Sequence, residues 1–166
     1  YQPDNKQSLG NNFVRSIAEK SPNHLYIGTD DGLYIMDKIT ASFQKIELSN
    51  SHTKTINSAI NALHIDRQGN LWIATMSQGI WKYNPTTNKI VQLQLRGATL
   101  GHNATWTILQ DRSGIIWAAT RLGLLRFNEQ QAHFEIVRPL FSEIGDSQFE
   151  ILSMREDPKG DLWLGT

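Results

Sequence analysis

The chain has 166 residues, about the size of one domain, with 16 basic and 16 acidic side chains and zero formal net charge. Balanced charge argues against a nucleic-acid or anionic-membrane surface, which needs a basic surplus on one face. There is no cysteine, which excludes disulfides, thiolate metal sites and a cysteine nucleophile, and no apolar run approaches the roughly 18 to 20 residues of a membrane helix.

One phrase organises the chain. It reads NHLYIGT at 23–29, GNLWIAT at 69–75, GIIWAAT at 114–120 and GDLWLGT at 160–166. The anchors Tyr26, Trp72, Trp117 and Trp163 recur about every 45 residues, which is the period of a propeller blade. Each unit opens with a strand in which a small column (Ser16, Ala62, Thr107, Ser153) precedes a large apolar one (Ile17, Leu63, Ile108, Met154). Adjacent residues of a strand face opposite ways, so the large column fills the space between sheets and the small one marks a close approach.

A turn follows. Asp66 to Gly69, Asp111 to Gly114 and Asp157 to Gly160 carry a type I signature, with Asp at the first position and Gly taking positive φ at the last. The first unit has Lys20-Ser-Pro-Asn23 instead; Asn is expected to replace Gly in the left-handed conformation with a weaker cap. The repeated phrase is the second strand, ending in a Thr suited to bond turn backbone groups. A tight turn ends at Gly32, Gly79 or Gly123 and a third strand follows. Fourth strands are expected at Phe43 to Leu48, Ile90 to Leu95 and Phe134 to Val137.

Four short antiparallel strands per unit make a blade. The expected fold class is all-β: a β-propeller fragment with blades at 11–48, 57–95 and 103–138 and half of a fourth at 149–166. No useful window keeps a 3.6-residue period, so long helices are not expected. A β-sandwich with coincidental repetition is the alternative. Units that begin and stop part-way lead us to expect a larger propeller, or a ring closed by a second copy, because three and a half blades leave sheet faces and an edge uncovered.

Chemical motifs are sparse. Of the five histidines, His24, His52, His102 and His133 fall in turns, connectors or strand ends and only His64 lies mid-strand; no pair has ligand spacing, so no metal and no cofactor are expected. There is no nucleophile elbow and no phosphate loop. Asp30-Asp31-Gly32 lacks the further oxygens of a calcium loop. Asp66, Asp111 and Asp157 read as turn caps on a ring, and the tryptophans of the anchor column as packing between blades.

Ligand contacts are expected where loops gather around the central channel: at the segment leading into each first strand and at the turn between second and third strands. Variation between repeats is the signal there. The lead-in column reads Arg15, Asn61, Trp106 and Leu152; the second turns contribute Asp30, Asp31, Met76, Gln78 and Arg121. The candidate ligand-binding set is Arg15, Asp30, Asp31, Asn61, Met76, Gln78, Trp106 and Arg121. A Trp beside Arg, Asn and Gln suits stacking on and hydrogen bonding to a sugar-like ligand. Plain variety on a solvent face is the competing reading.

The stretches NNFVRSIAEKSPNHLYIGTDDGLYIMD, INALHIDRQGNLWIATMSQGIWKYN and ATWTILQDRSGIIWAATRLGLLRFN resemble the two-component regulator propeller repeat, roughly V-x-x-I-x-x-D-x-x-G-x-L-W-I-G-T-x-x-G-L. Ser8 to Asn12 and Thr99 to Asn103 look like the linker that precedes such repeats. Departures are Lys20, Asn23 and Tyr26, a one-residue insertion at 76–78, and Ala74 and Ala119 where Gly is usual. The resemblance implies a propeller of about seven blades in the periplasmic, extracytoplasmic part of a bacterial inner-membrane receptor. It implies regulation of a cytoplasmic histidine kinase, or in other relatives a GGDEF-type diguanylate cyclase. The implied partners are a small molecule, with carbohydrate the class suggested, the remaining blades, and a second receptor in a dimer. No nucleic acid and no direct membrane contact are implied. The rival functions are a propeller lyase or hydrolase, which needs acid–base groups that the small channel column does not offer, and a protein-interaction scaffold.

Overall fold

The computed structural model describes residues 7–48, 56–95, 104–137 and 150–166. Their regular structure is strand and turn, with no helix among the described residues. The first blade is β1 (Val14–Ser21), β2 (His24–Thr29), β3 (Gly32–Asp37) and β4 (Ser42–Ile46), paired in that order and antiparallel throughout. The second is β5 (Ile60–Ile65), β6 (Leu71–Thr75), β7 (Ile80–Asn84) and β8 (Lys89–Gln92). A two-residue strand β9 (Gln94–Leu95) precedes the third blade: β10 (Thr105–Gln110), β11 (Ile116–Thr120), β12 (Gly123–Asn128) and β13 (His133–Ile136). The hairpin β14 (Ser153–Glu156) and β15 (Leu162–Gly165) begins a fourth. First strands lie side by side, β1 by β5, β5 by β10 and β10 by β14, as the inner strands of successive propeller blades do.

The expected fourth strand at Ile90 to Leu95 divides. Leu93 still donates its amide to Ile80 O (2.9 Å), but Gln94 and Leu95 leave their own sheet and pair parallel with His133 and Phe134. The third sheet therefore has five strands. The other fourth strands sit one or two residues earlier than expected, at Ser42–Ile46 and His133–Ile136.

The two small columns are cross-strand partners. Ser16 pairs with Gly28, Ala62 with Ala74, Thr107 with Ala119 and Ser153 with Gly165. A Cβ on Gly28 would collide with Ser16 Oγ and come within 2.7 Å of Ile60 Cγ2 on the next blade. The large columns then reach across. Trp72, 1% exposed, packs edge-on against Phe127 (4.9 Å between centroids) and Phe134 (6.2 Å) of the third blade. Tyr26 sits in the apolar layer between the first and second blades, beside Leu71, Ile73 and Tyr83. Truncating such a core aromatic to Ala typically costs about 3–5 kcal/mol. On the outer faces of the first and last described sheets the same columns are bare: Ile17 is 59% and Trp163 67% exposed.

Each turn aspartate has two jobs. Asp66 Oδ1 accepts the amides of Gln68 (3.0 Å) and Asn70 (2.8 Å), while Oδ2 accepts the Trp72 indole N–H at 2.8 Å. Asp111 holds the Ile115 amide (2.9 Å) and the Trp117 indole (2.7 Å). Asp157 holds the amides of Lys159 (2.8 Å) and Asp161 (3.0 Å) and the Trp163 indole (3.1 Å). Gly69, Gly114 and Gly160 take the expected positive φ and close the turns by bonding to the aspartate carbonyls. The first unit changes both partners together. Lys20 Nζ stands 5.7 Å from the Tyr26 ring, a cation–π contact in place of the carboxylate–indole bond. Its hairpin survives, but not through a left-handed Asn23, which lacks positive φ. Pro22 and Asn23 instead form a two-residue turn closed by the Ser21–His24 pair, with a register shift between Glu19 and Ser21.

Burial works to raise the Asp111 carboxyl, yet hydrogen bonds from Ser113, Trp117 and the turn amides outweigh it and hold it below the usual range. A lowered carboxylate stabilises the fold above its unfolded value of about 4 and loses that contribution as pH falls through its folded value. Asp111→Ala is expected to cost about 1–3 kcal/mol at neutral pH and to shrink the acid-induced loss of stability below about pH 4. Urea unfolding of both proteins as a function of pH checks this.

Candidate functional site: the lead-in end of the blades

Val14 pairs with Thr29, so each lead-in lies at the same end as the β2–β3 turn. A backbone bond ties the two in every complete blade: Asp30 N–H to Phe13 O (3.2 Å), Met76 N–H to Ala59 O (2.9 Å) and Arg121 N–H to Ala104 O (3.2 Å). The threonine hydroxyls shape the turn itself, Thr29 donating to Gly32 O, Thr75 to Gly79 O and Thr120 to Gly123 O at 2.7 to 2.9 Å.

The first strands are bulged at this end. Register shifts fall between Val14 and Ser16, Ile60 and Ala62, and Thr105 and Thr107. The unpaired residues are Arg15, Asn61 and Trp106, the variable column of the candidate set. A bulge leaves one residue outside the ladder and re-aims its side chain. The sequence located this column by its variation; the bulge is the physical reason it is free to vary.

The re-aimed side chains do not meet in one pocket. Arg15 forms an ion pair with Asp30 of its own blade. Asn61 Nδ2 lies 3.8 Å from Met76 Sδ and donates to Thr105 O of the next blade at 3.0 Å. The half-buried Trp106 donates its indole N–H to Glu150 Oε1 (2.9 Å), which leads into the next blade. Gln78 Oε1 accepts the Asn57 amide at 2.7 Å. The Arg121 side chain is exposed. Residues 99–103, expected as linker, lie outside the described residues.

Asp31 centres a cluster that the sequence reading found only in part. Its carboxylate accepts from Thr29 Oγ1 (2.6 Å), Tyr34 OH (2.9 Å) and Lys45 Nζ (3.3 Å). Lys45 also stands over the Tyr34 ring, 5.8 Å from its centroid. Burial works to raise the Asp31 carboxyl, but these three donors outweigh it and leave it below its usual range. The Tyr34 phenol is pushed up to about 12, first by burial and then by its hydrogen bond to Asp31 and the negative charge there. Tyr34 and Lys45 belong to β3 and β4, so a search confined to loops passes them by. Asp31 and Lys45 also line a small groove with Leu48, Ile56 and Asn57, between the first and second blades. A larger groove, lined by Asp66, Trp72, Lys82, Gln110 and Phe127, opens at the opposite end and includes none of the eight candidate residues.

Inner strands side by side, tight blade seams and varied, bulged lead-ins define a β-propeller with a shared scaffold and an individual loop face. Residues 8–31 and 55–77 match the family described as Two component regulator propeller. Those two stretches, in the first and second blades, are the parts of the chain that match this repeat. The chain is 31% identical over 91 residues to Histidine kinase P4 of Formosa agariphila, a match covering 52% of this chain and 7% of that protein. Among solved structures it is similar to the extracellular domain of BT4673 of B. thetaiotaomicron, named as a hybrid two component system, with TM-score 0.78 and 25% identity over 97% of this chain and 21% of that one. The extracellular domain of BT3049 from the same organism, likewise named, gives TM-score 0.66 and 25% identity over 90% of this chain and 18% of that one. The chain thus spans less than a quarter of the length of each.

Asp31→Asn removes the charge but keeps the side-chain volume. The Tyr34 phenol is expected to titrate below about 12 in this variant yet stay above the ordinary value near 10, because burial remains. Phenolate absorbance followed from neutral to alkaline pH, against a Tyr34→Phe control, measures it.

Proposed function

We propose that this chain is a ligand-binding input segment in the extracytoplasmic part of a bacterial membrane receptor, where it regulates a cytoplasmic histidine kinase. The observation that carries the reading is the bulged lead-in column. On a scaffold of repeated columns, three blades use the same backbone irregularity to present Arg15, Asn61 and Trp106 beside their second turns. A fold that needed only packing has no use for three different side chains there. The match to two-component regulator repeats and the likeness to a histidine kinase and to extracellular domains named as hybrid two component systems support the signalling role.

The ligand is a small polar molecule, a carbohydrate fragment being the class that suits a half-buried indole on a loop face that also carries Arg, Asn and Gln side chains. Further blades cover the bare Ile17 and Trp163 faces, since exposed apolar sheet faces are otherwise an association hazard. Two receptors act as a dimer. Binding favours one of two receptor states and so biases the kinase.

In the complete receptor, Trp106→Ala and Arg121→Ala are expected to leave thermal unfolding within about 1 kcal/mol of wild type while blunting the ligand-dependent change in kinase autophosphorylation. Unaltered responses in both variants would remove the lead-in end from the binding site.

A further inference from the structure

His64 is the penultimate residue of β5, the inner strand of the second blade, and is half-buried. Its position in the repeat is held elsewhere by Ala18, Leu109 and Arg155, so the imidazole is peculiar to this blade. Its neighbour Ala62, on the same face of the strand, packs into the apolar layer shared with the third blade. His64 Nε2 accepts the backbone N–H of Gln110 at 3.1 Å, across the seam between the two blades.

That amide has no strand to bond to. β10 is the edge strand of its sheet, Gln110 faces Ile116, and the ladder bond at this end is made by Asp111 N–H to Ile115 O (2.9 Å). Antiparallel alternation turns the Gln110 amide to the free edge, where the imidazole is its acceptor. Gln110 is also the hub of the turn seam. Its Oε1 accepts the Arg67 amide (2.9 Å) and its Nε2 donates to Gly114 O (2.9 Å). The Arg67 guanidinium adds bonds to Asp111 O (3.1 Å) and Arg112 O (2.9 Å).

We propose that His64 makes this segment a proton sensor: protonation of its imidazole unlocks the seam between the second and third blades. An acceptor nitrogen that takes a proton becomes a donor, so Gln110 N–H loses its partner and faces a cation. The strands that share the imidazole's side of the seam, β6, β10 and β11, carry no charged residue. The charges near this end are Asp66, whose carboxylate favours the proton, Arg67 in the same turn, Lys82 over Trp72, the cross-strand partner of His64, and Asp111 and Arg112 in the turn after Gln110. β1 and β2, packed against β5 from the first blade, bring Arg15, Glu19 and Lys20, and His24 and Tyr26. Burial outweighs Asp66 and holds the imidazole below its usual value. A histidine kept neutral in the fold leaves stability intact at high pH; stability is lost as pH falls from about 6.5 towards the folded value. The ligand class is the proton itself, and the proposal stands apart from the small-molecule reading above.

The test is hydrogen–deuterium exchange by mass spectrometry on the intact protein, wild type and His64→Gln, corrected for chemical exchange rates. In wild type, peptides covering 105–111 and 66–71 are expected to open more readily at pH ~5.5 than at pH ~7.5, by up to the roughly tenfold that one imidazole can supply, with 123–128 unchanged. His64→Gln offers an acceptor that does not titrate and is expected to show no such difference. Exchange at 105–111 that is flat in wild type, or equally pH-dependent in His64→Gln, overturns the proposal. Exchange of the His64 ring C2 proton in wild type keeps the test independent of the variant's folding. A midpoint below about 6.5 is the expected result, and one at or above it overturns the idea.

Discussion

The carboxylate that serves a turn with one oxygen and an indole with the other is the interaction on which the rest of this structure depends. Asp66, Asp111 and Asp157 each stand six residues before the tryptophan they hold. The bond fixes the hairpin between first and second strands and orients the ring that fills the space before the next blade. Trp72, fixed this way, meets Phe127 and Phe134 edge-on. One hydrogen-bonded pair therefore links local turn geometry to the packing between sheets. A carboxylate with several donors is a strong acceptor, which explains why these groups stay ionised despite partial burial.

The second constraint is closeness. Where Ser is on the first strand, Gly faces it; where Ala or Thr stands, Ala faces it. The Ser16–Gly28 pair meets Ile60 of the next blade, and Ser16 Oγ lies 3.4 Å from Ile60 O. Small pairs near the lead-in end and aromatics towards the opposite end let neighbouring sheets pack at an angle, as blades around an axis must. Loop variety then collects at the lead-in end, on top of a scaffold that does not vary.

The repeat period, the hairpins, the packing role of the anchor aromatics and the capping role of the aspartates were legible because each depends on residues close in sequence. What escaped was relational. The Asp and Trp columns read as two independent features, and only the folded structure joins them; the paired change to Lys20 and Tyr26 was the one trace of the link in the sequence. Asn23 misled because a two-residue turn starting with Pro22 needs no left-handed residue at all. The split at Leu93 was invisible because the partners of Gln94 and Leu95 lie about 40 residues away on the next blade. At the loop face, repeat-to-repeat variation pointed to Arg15, Asn61 and Trp106, but not to the bulge that frees them. Nor did it point to Glu150, Tyr34 and Lys45, which take up the hydrogen-bonding capacity of Trp106 and Asp31.

The proposed outward-facing input role of this segment is open to direct measurement. Gln130, exposed in the β12–β13 turn away from the lead-in end, offers a direct check, because the chain has no cysteine of its own. Gln130→Cys, placed in the intact protein with any other cysteines replaced, would be treated in living cells with a membrane-impermeant maleimide. Labelling in unbroken cells equal to that after lysis is the predicted result. Labelling only after lysis would put the propeller on the wrong side of the membrane and contradict the account.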